Sequence, residues 1–249
     1  MGTTQRIERL RKRLNQDKLD AFLVTSQENR RYLSGFTGSA GYLFITANEA
    51  VLATDFRYTE QAGIQSPEFQ ILKVGGTPNW FVSLITDFSP NTVGFESNDV
   101  TVSLHQSLVE MVKDVNPKPD LIPTSYLVDQ VRSVKEPEEL ILLEHAVYLA
   151  DTAMDQVSEK IRPGMSENQV AWQMELTMRE LGAESISFDT IVGAGPNGAR
   201  PHHRASDYLI KEGDGIVIDM GAKFNGYCSD ITRTYILGKD NSKFREIYD

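Results

Sequence analysis

Gly215-Ile-Val-Ile-Asp-Met-Gly-Ala-Lys-Phe-Asn-Gly-Tyr-Cys-Ser-Asp-Ile-Thr-Arg-Thr-Tyr235 is the stretch on which the fold turns. Asn225-Gly226 lies between two alternating apolar runs, the strongest short-range signal for a tight β-hairpin. With those two residues as the loop, Phe224 faces Tyr227. Counting outward then sets Asp219 opposite Thr232 and Asp230 opposite Gly221. Side chains two apart on a strand share a face, so Asp230 lies on the side of Thr232 and both aspartates project from one face as diagonal neighbours.

Two carboxylates so placed repel each other unless a cation sits between them or one takes up a proton. A divalent metal is the natural answer. Carboxylate oxygens suit magnesium or manganese and, with histidine added, zinc or cobalt, so the pattern alone does not choose the ion. The residues leave a second reading open, in which both aspartates are solvated or cap turns. The apolar flanks Ile216, Val217, Ile218 and Ile231 weigh against it.

Upstream, Gly193-Ala-Gly-Pro-Asn-Gly198 formally satisfies the glycine pattern of dinucleotide sites, which requires a helix to open within the motif. Pro201-His202-His203-Arg204 follows instead, so a turn-rich loop is expected. Adjacent side chains in an extended chain point to opposite sides, and at most one of the two histidines faces a site formed by the aspartates. His105 and His145 fall in helical patterns without an acidic partner and are read as structural.

Two helices precede this segment. Pro137 opens a long one whose apolar stripe is expected to be Leu140, Leu143, Val147, Ala150, Met154, Val157 and Ile161. Ser166 and Gln169 have capping-box spacing and start a second, carrying Val170, Met174, Met178 and Leu181 and stopping at Gly182. Further out, Ala21–Val24, Tyr42–Ile45, Val51–Ala53, Phe69–Val74 and Thr92–Phe95 alternate with helical stretches and read as an α/β domain. Ile7, Leu10 and Leu14 mark an amphipathic first helix. Three prolines in Asn116-Pro-Lys-Pro-Asp-Leu-Ile-Pro123 suggest a linker, which places the domains at 1–125 and 126–249.

The 249 residues carry 35 acidic and 25 basic side chains, a formal charge of -10, which argues against a nucleic-acid partner. No apolar run approaches the ~20 residues of a bilayer-spanning helix, so no membrane partner is expected. The single cysteine, Cys228, rules out an intrachain disulfide and fits a reducing, cytoplasmic setting.

Taken together, Asp219-x-Gly221, Gly226-Tyr227 and Ser229-Asp230-Ile-Thr-Arg-Thr234, with Pro201-His202 ahead of them, resemble the pita-bread metallopeptidases, the family of aminopeptidase P, prolidase, methionine aminopeptidase and creatinase. Asn29-Arg-Arg-Tyr32, Gly35-Phe-Thr-Gly-Ser-Ala-Gly41 and Thr54-Asp-Phe-Arg-Tyr-Thr-Glu-Gln-Ala62 resemble the accessory domain of bacterial Xaa-Pro aminopeptidases. The resemblance implies an α/β amino-terminal domain followed by an α+β pita-bread domain. It implies hydrolysis of the amino-terminal peptide bond of proline-containing peptides, Xaa-Pro, by two divalent metal ions, manganese first, with cobalt or zinc as alternatives. By the same resemblance Asp219 binds one metal, Asp230 bridges both, and His202 contacts the substrate or the tetrahedral intermediate. A homodimer is implied for the full-length protein. A non-catalytic pita-bread binding protein and a metal-free, creatinase-like amidinohydrolase are the rival readings.

The family completes its site with a histidine and two glutamates further along, whereas this sequence ends at Asp249, in what reads as a helix starting at Ser242. The expectation is therefore an incomplete pita-bread domain in a carboxyl-terminally truncated chain, inactive by itself.

Overall fold

The computed structural model describes residues 2–75 and 80–238, with Phe244, Glu246 and Tyr248 beyond them. The helix expected over 242–248 lies mostly outside these residues. The chain divides into two units, Met1–Lys135 and Glu136–Asp249.

The first unit runs α1 (Thr3–Gln16), β1 (Ala21–Val24), α2 (Gln27–Ser34), β2 (Tyr42–Thr46), β3 (Ala50–Thr54), α3 (Thr59–Gln65), β4 (Gln70–Lys73), α4 (Trp80–Phe88), β5 (Thr92–Glu96), α5 (Val102–Met111), β6 (Asp120–Thr124) and α6 (Leu127–Ser133). The strands form one mixed sheet in the order β4-β3-β2-β1-β5-β6. Helices cover both its faces, so its central strands are apolar on both sides. Phe22 and Val24 of β1 join Ile7, Leu10 and Leu14 of α1 in one layer. Ala21 and Leu23 point the other way, into a layer with Phe81, Leu84 and Ile85 of α4.

Two expectations are corrected here. The proline-rich stretch taken as a linker contains β6, which pairs parallel to β5 with Pro123 opposite Phe95. Because β6 is the edge strand, Pro123 removes no bond that a further strand would need. The division of the chain also falls after Lys135 rather than at 125/126. The reason is α6, whose buried Leu127 and Val128 belong to the layer beneath α1.

The second unit runs α7 (Pro137–Ser158), α8 (Glu167–Glu180), β7 (Ser185–Ile186), β8 (Ile191–Ala194), a 3-10 turn (Gly195–Ala199), β9 (Gly215–Met220), β10 (Ala222–Phe224), β11 (Tyr227–Cys228) and β12 (Ile231–Ile236). Two small sheets form, in the orders β12-β9-β8 and β11-β10-β7. Ile216, Ile218 and Met220 of β9 pack with Met154 and Val157 of α7 and Met174 and Met178 of α8. Both helices start at capping boxes, Glu136 with Glu139 and Ser166 with Gln169, which satisfy amide donors that a helix end otherwise leaves bare.

The expected stripe of α7 is only half correct. Ala150, Met154 and Val157 are buried, but Leu140 is 48% and Val147 45% exposed. The buried stripe instead passes through Ala146, Leu149 and Ala153. The alanines let α7 approach its neighbours closely, a contribution that a count of bulky apolar residues overlooks. Among the described residues no helix is long and apolar enough to cross a membrane.

Candidate active site

The hairpin turns at Asn225 and Gly226, both with positive φ, 46° and 81°, the backbone that a two-residue turn needs to match strand twist. Phe224 pairs with Tyr227, and Thr232 pairs with Asp219 across β12 and β9. The register counted from the sequence is thus kept across the whole hairpin.

Between these ladders the strands break at Gly221 and Ser229, and the break is tightly stitched. The Ala222 amide donates to Ser229 Oγ at 2.9 Å, the Ser229 amide donates to the Ala222 carbonyl at 2.9 Å, and Ser187 Oγ donates to the Ser229 carbonyl at 2.8 Å. Gly221 carries no side chain because a Cβ there would lie 1.9 Å from that carbonyl oxygen. This local clamp fixes the backbone beside both aspartates.

Asp219 is half-buried on the central strand β9, flanked by Ile191 of β8 and Thr232 of β12. Its neighbours Ile218 and Met220 point into the core, so its own side chain projects from the opposite face. Thr232 Oγ1 donates to Asp219 Oδ1 at 2.8 Å. Asp230 follows the Ser229 clamp, two residues before Thr232, and is exposed. Among the described residues, no group of three or more His, Cys, Asp or Glu side chains is gathered as a metal cage.

His202 and His203 have opposite environments. His202 is exposed, whereas His203 is buried at 9% exposure and its Nε2 lies 2.8 Å from Glu167 Oε2. With the carboxylate accepting, Nε2 of His203 carries the hydrogen. The glycine-rich segment before them forms the 3-10 turn Gly195–Ala199 rather than an α-helix. His105 lies against Phe95 and His145 against Phe224, with ring centroids 5.2 and 4.1 Å apart.

Glu167 is the residue that sequence reasoning missed. It is fully buried and accepts from the Ala194 amide at 2.8 Å, Asn197 Nδ2 at 3.0 Å, the Ser206 amide at 3.0 Å and Ser206 Oγ at 2.6 Å, besides His203. Burial pushes its carboxyl up, but the bonds from Ala194, Ser206, His203 and Asn197 together outweigh burial and hold it below the ordinary glutamate range. Its only sequence signal was an acid directly after an N-cap serine, which also describes a plain partner for the helix dipole.

Known proteins resemble both units of the chain. Residues 142–249 match metallopeptidase family M24, and residues 6–134 match the creatinase/prolidase N-terminal domain. An uncharacterized peptidase of Bacillus subtilis, YqhT, is 40% identical over 244 residues, covering 98% of this chain and 68% of that protein. The chain belongs to metallopeptidase family M24. Among other M24-like relatives, an Xaa-Pro dipeptidase of Pyrococcus furiosus is 33% identical over 98% of this chain and 68% of its own. The solved structure of an Xaa-Pro dipeptidase from Bacillus anthracis superposes with a TM-score of 0.94 at 38% identity, covering 99% of this chain and 68% of that one. The creatinase-type first domain and the pita-bread second domain follow from these matches, and the chain spans about two thirds of the length of these relatives.

Proposed function

We propose that the protein hydrolyses the amino-terminal peptide bond of Xaa-Pro peptides, as an Xaa-Pro aminopeptidase or dipeptidase working in the cytoplasm. The observation that carries this reading is the hairpin register, in which Thr232 pairs with Asp219; strand alternation would put Asp230, two residues before Thr232, on the same side, within a chain of M24 type. The names of the relatives point to the same substrate class. Proline's ring and missing amide hydrogen defeat pockets built for ordinary peptides, so a dedicated site is physically reasonable.

The two carboxylates fit divalent ions. Both offer hard oxygen donors, and among the described residues Thr232 alone donates to the Asp219 side chain, leaving one oxygen for another partner. The pair suits part of a donor set rather than the whole of one. We assign Asp219 and Asp230 to two divalent ions, manganese first. When bound, such ions activate water and polarise the carbonyl under attack.

The chain's own residues supply the rest. Thr232 orients the Asp219 carboxylate through its hydroxyl. Gly221 and Ser229 hold the two strands close just before Asp230. His202, exposed on its loop, would donate a hydrogen bond to the oxyanion that develops on the substrate.

The test is turnover of Xaa-Pro peptides by the protein expressed over its complete reading frame, with manganese and then with chelator. Metal-dependent cleavage before proline is expected. Turnover indifferent to chelation, or creatine hydrolysis without bound metal, would overturn the reading in favour of a creatinase-like enzyme. Peptide binding without turnover would favour a non-catalytic module.

A further inference from the structure

We infer that Glu167 is a positioning residue for His202, its buried carboxylate pinning the 194–206 loop across the sheet face that carries Asp219. The inference rests on the role given to His202 above.

The path of the loop is set by close backbone packing. A Cβ on Gly193 would meet the Asn197 carbonyl oxygen at 3.1 Å, and one on Gly198 would meet the Gly193 carbonyl oxygen at 3.2 Å and Val217 Cγ2 at 3.6 Å. Val217 and Asp219 are two apart on β9 and share a face. The loop therefore crosses the same side of the sheet from which Asp219 projects.

Glu167 grips this loop at its beginning, middle and end. Oε1 takes Ala194 and Asn197, and Oε2 takes His203 and Ser206. Its own backbone is held in turn, because it opens α8 inside the Ser166–Gln169 capping box. The Glu167 amide donates to the Tyr208 carbonyl at 3.2 Å and the Asn168 amide to the Ser206 carbonyl at 3.0 Å. His203 is drawn inward to Oε2, while His202, its neighbour in the turn that the His203 amide closes on the Arg200 carbonyl at 3.1 Å, stays exposed. A buried carboxylate that satisfies this many donors is more than packing: removing it strands the Ala194 and Ser206 amides and the His203 ring without partners. Glutamine keeps the volume, but its NH2 group would face donors on whichever side it lay.

The test is a double-mutant cycle in the full reading-frame protein, with Glu167→Gln, His202→Ala and their combination assayed on an Xaa-Pro peptide. Glu167→Gln is expected to lower kcat by at least about tenfold while KM stays within about threefold. In the His202→Ala background the same change should cost less than about twofold more, because the two residues act as one unit. An equal loss in both backgrounds, or a kcat within about twofold of the parent, overturns the inference. Should Glu167→Gln fold poorly, Ser206→Ala removes one donor while leaving the carboxylate paired, and a smaller loss, again confined to the protein with His202 intact, is expected. Hydrogen exchange separates failure of this link from failure of the functional reading. If the parent cleaves nothing, or His202→Ala is fully active, the functional reading falls, and faster exchange confined to 194–206 in Glu167→Gln still supports the pinning. Unchanged exchange there overturns it.

Discussion

At Gly221 a side chain has nowhere to go, and this constrains both aspartates. The Ser229 carbonyl oxygen that a Cβ would meet at 1.9 Å is itself held by Ser187, so the strain of Gly221→Ala cannot be relieved by a flexible side chain. We expect a loss of about 3 kcal/mol or more in urea unfolding, and a loss within about 0.5 kcal/mol would mean that the two strands separate freely there. Asp219→Asn should behave oppositely. It keeps the size of the side chain and can still accept from Thr232, so fold stability without metal should change little. Manganese affinity by titration calorimetry should fall at least about tenfold, the equivalent of ~1.4 kcal/mol, and unchanged affinity would remove Asp219 from the metal site.

Among the elements, the hairpin was fully legible because an Asn-Gly turn sets register by local backbone geometry, and the pairing of Thr232 with Asp219 needs no distant contact to specify it. The start of α8 was legible for the same reason, since a capping box is a matter of three-residue spacing. Ser166→Ala removes the side chain that accepts from the Gln169 amide at 3.1 Å. It should cost about 1 kcal/mol, read as a lower urea midpoint with an unchanged denaturant slope, and no shift at all would show that the cap is dispensable. β6 and the stripe of α7 were less legible. A proline in a strand is tolerated or not according to whether another strand lies beyond it, and the burial of Ala146, Leu149 and Ala153 depends on which side of α7 meets its neighbours. Neither circumstance is written in the segment itself.

Across the molecule, one buried glutamate in each unit, Glu96 and Glu167, has its carboxyl displaced, and the two are displaced in opposite senses. In the first unit burial raises the carboxyl of Glu96, more than the bonds from the Ser26 amide, Asn29 and the Thr25 amide lower it. Its folded form holds a proton more tightly than the unfolded chain, so its contribution to stability is fully present below the ordinary glutamate value, about 4.3, and is lost as pH rises through the folded value. Glu167 is held low. Its contribution is present above the ordinary value and is lost as pH falls through the folded one. Segment-resolved hydrogen exchange should therefore show Glu96→Gln flattening the pH dependence of the first unit above ~4.3 and Glu167→Gln flattening that of the second below it. The same slopes in parent and variants would mean that neither carboxylate is coupled to folding.

Reading the residues alone was enough for what local chemistry decides: the hairpin register, the helix starts and the alternation of strands and helices in the first unit. Tertiary structure decided what depends on distant partners. It placed Pro123 on a sheet edge, moved the division of the chain past α6, and brought the Glu167 carboxylate from the head of α8 to a loop between 27 and 39 residues downstream. Periodicity reports which way a side chain points, whereas the partner it meets is set by how the chain folds back.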